Sequence, residues 1–143
     1  MALSDPRWDD LADADWDAFA LAWIAEISGD EPWPLPDLPV LFPDEPETAA
    51  SGFVVQMNFT ASAKAQWRFI EAVFRLGNEE AMGHLAAGPI EHLLSKHGDA
   101  YIERFETLAR ADPRFAKMLT GCFKHMMSDA VWDRICAARG DVG

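Results

Sequence analysis

The sequence predicts an all-α protein of about eight short helices, arranged as an array of antiparallel helical hairpins. Three observations predict this. Apolar residues recur at helical spacing through most of the chain. Helix-starting and helix-stopping residues flank those runs. Strand signals are nearly absent, with no Asn-Gly or Asp-Gly hairpin turn. The chain has 143 residues, half of them hydrophobic. That is a single-domain length with enough apolar material for a core, so 1–143 is expected to be one helical domain.

Residues 1–30 read as an acidic, tryptophan-rich helical segment. Ser4 or Asp5 can cap a first turn holding Pro6. Trp16, Phe19, Ala20, Trp23, Ile24 and Ile27 then share one helix face, with Asp13 and Asp15 at its positive end and Gly29 as its stop. Trp16 and Trp23 are expected in the core, and Trp8 and Trp33 are expected to be partly exposed. Residues 31–47 hold six of the nine prolines. No helix or inner strand survives that density, so the segment should run extended. Its apolar side chains (Trp33, Leu35, Leu38, Val40, Leu41 and Phe42) predict that it lies along the folded body or on a partner.

Residues 48–143 form the helical body. "TAASGFVVQMNF" is ambiguous between helix and strand, and helix is preferred. "TASAKAQWRFIEAVFRLGN" is a helix with Thr60 as cap and Gly77 as stop. Asn78, Asp112 with Pro113, and Ser128 mark further starts. In "HLAAGPIEHLLSKHG", residues 84–98, Gly88 and Pro89 read as a helix boundary. Pro89 would be the first helical residue and Glu91 would meet the free N–H groups of that first turn. His84 and His97 would sit in the last turns of two successive helices, and Gly98 would end the second of them.

The net charge of −12 is confined to one part of the chain. Residues 1–50 contain thirteen acids and one base, Arg7, for 1 − 13 = −12. Residues 51–143 contain eleven of each. This asymmetry argues against nucleic acid or an anionic membrane as partner. It fits a basic protein partner, or a solvated acidic face. Two cysteines, Cys122 and Cys136, exclude a disulfide framework. The acidic start lacks a signal peptide pattern and no apolar run reaches membrane length, so a bacterial cytoplasmic setting is expected.

The weak catalytic candidates are His84, Glu91, His92 and His97, together with Cys122 and His125 at i, i+3. No HxxxH or HExxH pair exists, and no nucleophile elbow, phosphate loop or dinucleotide fingerprint is present. No metal site and no cofactor is therefore assigned. Cys122 beside His125 reads better as a buried small hydrophobe beside a surface histidine than as a nucleophile pair.

The segments "AQWRFI" (65–70), "AAGPIEHLLSKHG" (86–98), "YIERFETLARADPRF" (101–115) and "SDAVWDRI" (128–135) resemble a bacterial domain-of-unknown-function family, DUF six-eight-six-nine, over roughly residues 61–138. The resemblance implies an all-helical fold and no activity. The expected role is a protein–protein interaction module, in one form an immunity-like or antitoxin-like inhibitor of a basic partner. Its contact residues would be Trp8, Trp33, Leu35 and Phe42, facing another protein or a second copy. The alternative is a small enzyme or metal-binding protein around Glu91 and the nearby histidines; the balance is against an enzyme.

Overall fold

Helix ends carry most of the local logic of this chain. The computed structural model describes residues 4–39 and 49–140, and every regular element among them is helical. The chain divides into two compact units, residues 1–81 and 82–143.

The first unit contains a 3₁₀ turn (Pro6–Asp10), α1 (Asp13–Ser28), α2 (Ala50–Thr60) and α3 (Ala63–Leu76). Asp5 caps the 3₁₀ turn, its carboxylate accepting the Arg7 backbone N–H at 3.0 Å. At the start of α1 the Asp15 carboxylate reaches back to the Ala12 N–H at 2.9 Å. Gly29 ends α1 in the left-handed region, φ 69°, and Asp30 N–H closes onto the Ala25 carbonyl at 2.9 Å. A residue with a Cβ would be strained there. The ambiguous segment is helical, as α2. Thr60 does not cap α3. It is the last residue of α2, its hydroxyl donates to the Gln56 carbonyl at 2.6 Å, and Ser62 caps α3 instead.

The core of this unit is aromatic. Trp8, Trp16, Phe19 and Phe69 are fully or almost fully buried, with α1 lying against α3. Phe19 and Phe69 pack with ring centroids 4.6 Å apart, and Trp8 stacks on Trp16 at 6.2 Å. Trp16 and Trp23 are core residues as expected. Trp8 is not partly exposed: its exposure is 0 %. The 3₁₀ turn is held by Asp5 N–H on the Thr60 carbonyl at 2.8 Å, and the Trp8 indole N–H donates to the Thr60 hydroxyl at 2.9 Å. With its one polar atom satisfied, the indole loses nothing by leaving water. Residues 31–39 form no helix or strand. Trp33 and Leu35 remain exposed while Pro39 is buried. Val40, Leu41 and Phe42 lie outside the described residues.

The second unit contains most of α4 (Glu79–Leu85), a π-helical turn (Ala86–Ile90), α5 (Glu91–Ala111), α6 (Pro113–Met118), a 3₁₀ turn (Leu119–Gly121) and α7 (Asp129–Ala138). Asn78 caps α4, Asp112 with Pro113 starts α6, and Ser128 caps α7, as the sequence predicts. The expected boundary at Gly88 and Pro89 is absent. Helical structure continues through Pro89, which sits inside the π turn. A proline ring clashes with the carbonyl four residues back in an α-helix, and the wider turn relieves that clash.

At His97 and Gly98 the expected boundary takes the form of a kink: His97 leaves helical geometry, at φ −129° and ψ 24°, and two helices meet there within α5. Of the three short helices expected over 79–111, the first two are one helical run and the third begins after the kink. The role of Gly98 is packing. A Cβ there would lie 2.9 Å from Val131 Cγ2 on α7, so the missing side chain lets α5 and α7 approach.

Gly98→Ala should therefore destabilise the protein by about 1–3 kcal/mol through overpacking. Adding Val131→Ala should recover part of that loss. Urea unfolding of the three proteins checks this, and an unchanged midpoint for Gly98→Ala would remove the close approach from the account.

Candidate functional site

In the second unit the π turn organises what surrounds it. The Cys122 thiol donates to the Ala86 carbonyl at 3.3 Å, from 36 residues away. One residue earlier, a Cβ on Gly121 would stand 3.2 Å from Ala86 Cβ, so the chain passes close to the turn here too. The next residue, Phe123, donates its backbone N–H to the Glu91 carboxylate at 3.3 Å. Two consecutive residues are thus fastened, one to the π turn and one to the first residue of α5, and the residue before them packs close to the turn. Beyond them His125 adopts a left-handed backbone, φ 46°, and its ring lies 6.5 Å from that of His92. A non-glycine residue in that region is uncommon and often marks a functional segment.

The electrostatics follow from burial. Glu91 is only 7 % exposed. Burial pushes its carboxyl above the ordinary value, opposed by the Phe123 N–H and by the His125 charge. Burial also pulls His92 below its ordinary value, helped by the charges of Lys96 and His125. A carboxyl shifted up next in sequence to an imidazole shifted down is the pattern from which acid–base pairs are built. Cys122 has no such role. Burial first, then the Glu91 charge, push its thiol up to about 12. It stays a thiol, and a thiol is not the nucleophilic form. The reading of Cys122 as a buried hydrophobe beside a surface His125 stands.

The other candidates lie elsewhere. His84 is exposed in the last turn of α4. His97 lines a separate cavity of about 250 Å³ at the kink of α5, with Ser95, Lys96, Asp99 and Ser128. Among the described residues, no group of three or more His, Cys, Asp or Glu could hold a metal ion. Sequence reasoning did not join Glu91 to His125, because the connection crosses some thirty residues of chain. The exposed pair Phe123 and Met126 in "CFKHMM" was the available signal.

The first unit holds a different kind of feature. Trp33 and Leu35 line a groove of about 430 Å³ with Ala22, Glu26, Gly29, Asp30 and Ala49. Val55 and Phe59, four residues apart on α2, are also exposed. Phe42 lies outside the described residues, and the buried Trp8 is not available as a contact residue.

A family model, the Family of unknown function (DUF6869), matches residues 43–142. The chain belongs to this family. The DUF6869 match includes Glu91, His92, Cys122 and His125, whereas Trp33 and Leu35 precede it. No curated protein and no solved structure matches the chain. Among the described residues no helix is long and apolar enough to cross a membrane.

Glu91 gives a pH prediction. Its raised value means that its contribution to stability is full below the ordinary glutamate value and is lost as pH rises through the raised one. Glu91→Gln should therefore melt higher than wild type at neutral pH. The gap should close below about pH 4. A gap that widens on acidification would contradict the burial account. A second check is chemical: of the two free thiols, the half-exposed Cys136 should react with Ellman's reagent in the native protein, and the buried Cys122 only after unfolding.

Proposed function

We propose that the protein is a protein–protein interaction module whose acidic N-terminal part is its contact region. One observation carries this reading. Trp33 (50 % exposed), Leu35 (37 %), Val55 (54 %) and Phe59 (56 %) meet water in the unit whose sequence carries the whole net charge. Large exposed apolar side chains in a unit with one sign of net charge are what an interface needs, the first for affinity and the second for steering. The concrete form is an immunity-like or antitoxin-like inhibitor of a basic protein in a bacterial cytoplasm. Such a partner would be drawn to the acidic unit at long range and held by the aromatic and aliphatic side chains at short range.

Capture of the partner from native cells on immobilised protein, followed by affinity measurement with the purified partner, tests this. Trp33→Ser with Phe59→Ser should weaken binding at least tenfold, whereas Glu91→Gln should leave it unchanged. Binding indifferent to the double change would refute the reading.

A second reading is favoured by the burial of Glu91 and by the His92 and His125 rings lying 6.5 Å apart. It is a small acid–base enzyme in the second unit. A turnover that disappears in His92→Ala and survives Trp33→Ser would select it.

A further inference from the structure

We infer that the groove beside the end of α1 receives a basic segment of the partner, one that carries a large apolar side chain between its cations. The inference rests on the interaction reading above and adds where and what. The first argument is shape. Ala22, Ala49 and Ala50 leave an open volume of about 430 Å³ whose wall is Trp33 and Leu35. That volume lies within the range of pre-formed ligand pockets. Its apolar wall suits a leucine- or phenylalanine-sized anchor.

The second argument is charge. A helix ends in unpaired carbonyls equivalent to about half a negative charge, which cations in the last turn normally offset. α1 has no basic residue in its last turn. Instead Glu26 and Asp30, both exposed, line the groove at that end, and Glu31 follows. The unit holds four basic residues: Arg7, Lys64, Arg68 and Arg75. Arg7 is paired with Asp5, Arg68 with Asp13 and Arg75 with Asp17, the last two on the first half of α1. Among the described residues no ion pair reaches Glu26, Asp30 or Glu31. Nor does the sequence from 40 to 48 contain a Lys or Arg. The helix end therefore carries three like-signed contributions: two carboxylates and the negative end of the helix dipole, of whose last carbonyls Ala25 and Glu26 accept the Gly29 and Asp30 N–H groups. A cation supplied from outside relieves all three at once. The Ser51 N–H, at 3.3 Å from the Glu26 carboxylate, relieves only one.

The test is titration of the isotopically labelled full chain, followed by amide NMR, with three short peptides: Lys-Arg-Leu-Phe-Lys-Arg, Glu-Glu-Leu-Phe-Glu-Glu and Lys-Arg-Gly-Gly-Lys-Arg. The first should shift the amides of Gly29, Asp30, Ala49 and Ala50. Its affinity should fall at least about tenfold between about 50 and 300 mM NaCl. The other two should bind at least about tenfold more weakly. Trp33→Ala should abolish the shifts. Glu26→Gln with Asp30→Asn should remove the salt dependence. Phe123→Ser, in the other unit, should change nothing. No shift with the first peptide overturns the inference. So does an equal response to the acidic peptide, or shifts at these amides on concentrating the protein alone, which would put a second copy in the groove. Partner capture that needs Trp33 but ignores salt and the Glu26/Asp30 change would leave the interaction reading standing and sink this one.

Discussion

The second unit is organised around one proline. The Pro89 ring would meet the Leu85 carbonyl in an α-helix, and the chain answers with a wider turn rather than a break. In that turn the Ala86 carbonyl accepts a hydrogen bond from the Cys122 thiol. Fixing Cys122 fixes Phe123, whose N–H then finds the Glu91 carboxylate. The left-handed turn at His125 follows within two residues. These contacts fasten the segment that carries His125 to the start of α5, and its ring lies 6.5 Å from that of His92. π turns recur at functional positions.

The first unit is organised by segregation instead. Its aromatic rings fill the inside from both ends of the sequence segment, Trp8 from before α1 and Phe69 from α3. Two of its cations, Arg68 and Arg75, steady the first half of α1, and the last turn of that helix has no basic residue. The two units thus offer different chemistry. One presents titratable groups in partial burial, and the other presents charge and apolar surface in water.

What the sequence reveals here follows the range of the forces. Gly29, Asn78, Asp112 with Pro113, and Ser128 act within a turn of where they stand, and they mark helix ends as read. Thr60 carries the same chemistry as a cap, but its hydroxyl is engaged by Gln56 and by Trp8, 52 residues away. Trp8 itself looks like a solvent-facing flank until that distant hydroxyl is known. Gly88 and Pro89 look like punctuation because glycine and proline usually are, yet helical structure continues through them. Gly98 does follow a kink, and it has a second role that only its neighbour Val131 reveals, the close approach of α5 and α7. The candidate site follows the same division. Glu91 and His92 stood out as polar residues in an apolar helix, whereas His125 acquires its meaning only from the turn that lays it against them.

The loop after Gly121 also has a redox consequence. The thioethers of Met57, Met82, Met118 and Met127 are buried, with exposures between 0 % and 6 %, whereas Met126 stands 74 % exposed at the tip of the segment pinned to the π turn. An oxidant arriving from solvent meets Met126 well before its neighbour Met127. Conversion to the sulfoxide would put a polar, chiral group on the residue that follows His125. The exposed apolar edge of the second unit is therefore open to chemical change by a single oxygen atom, without disturbance of the core beneath it.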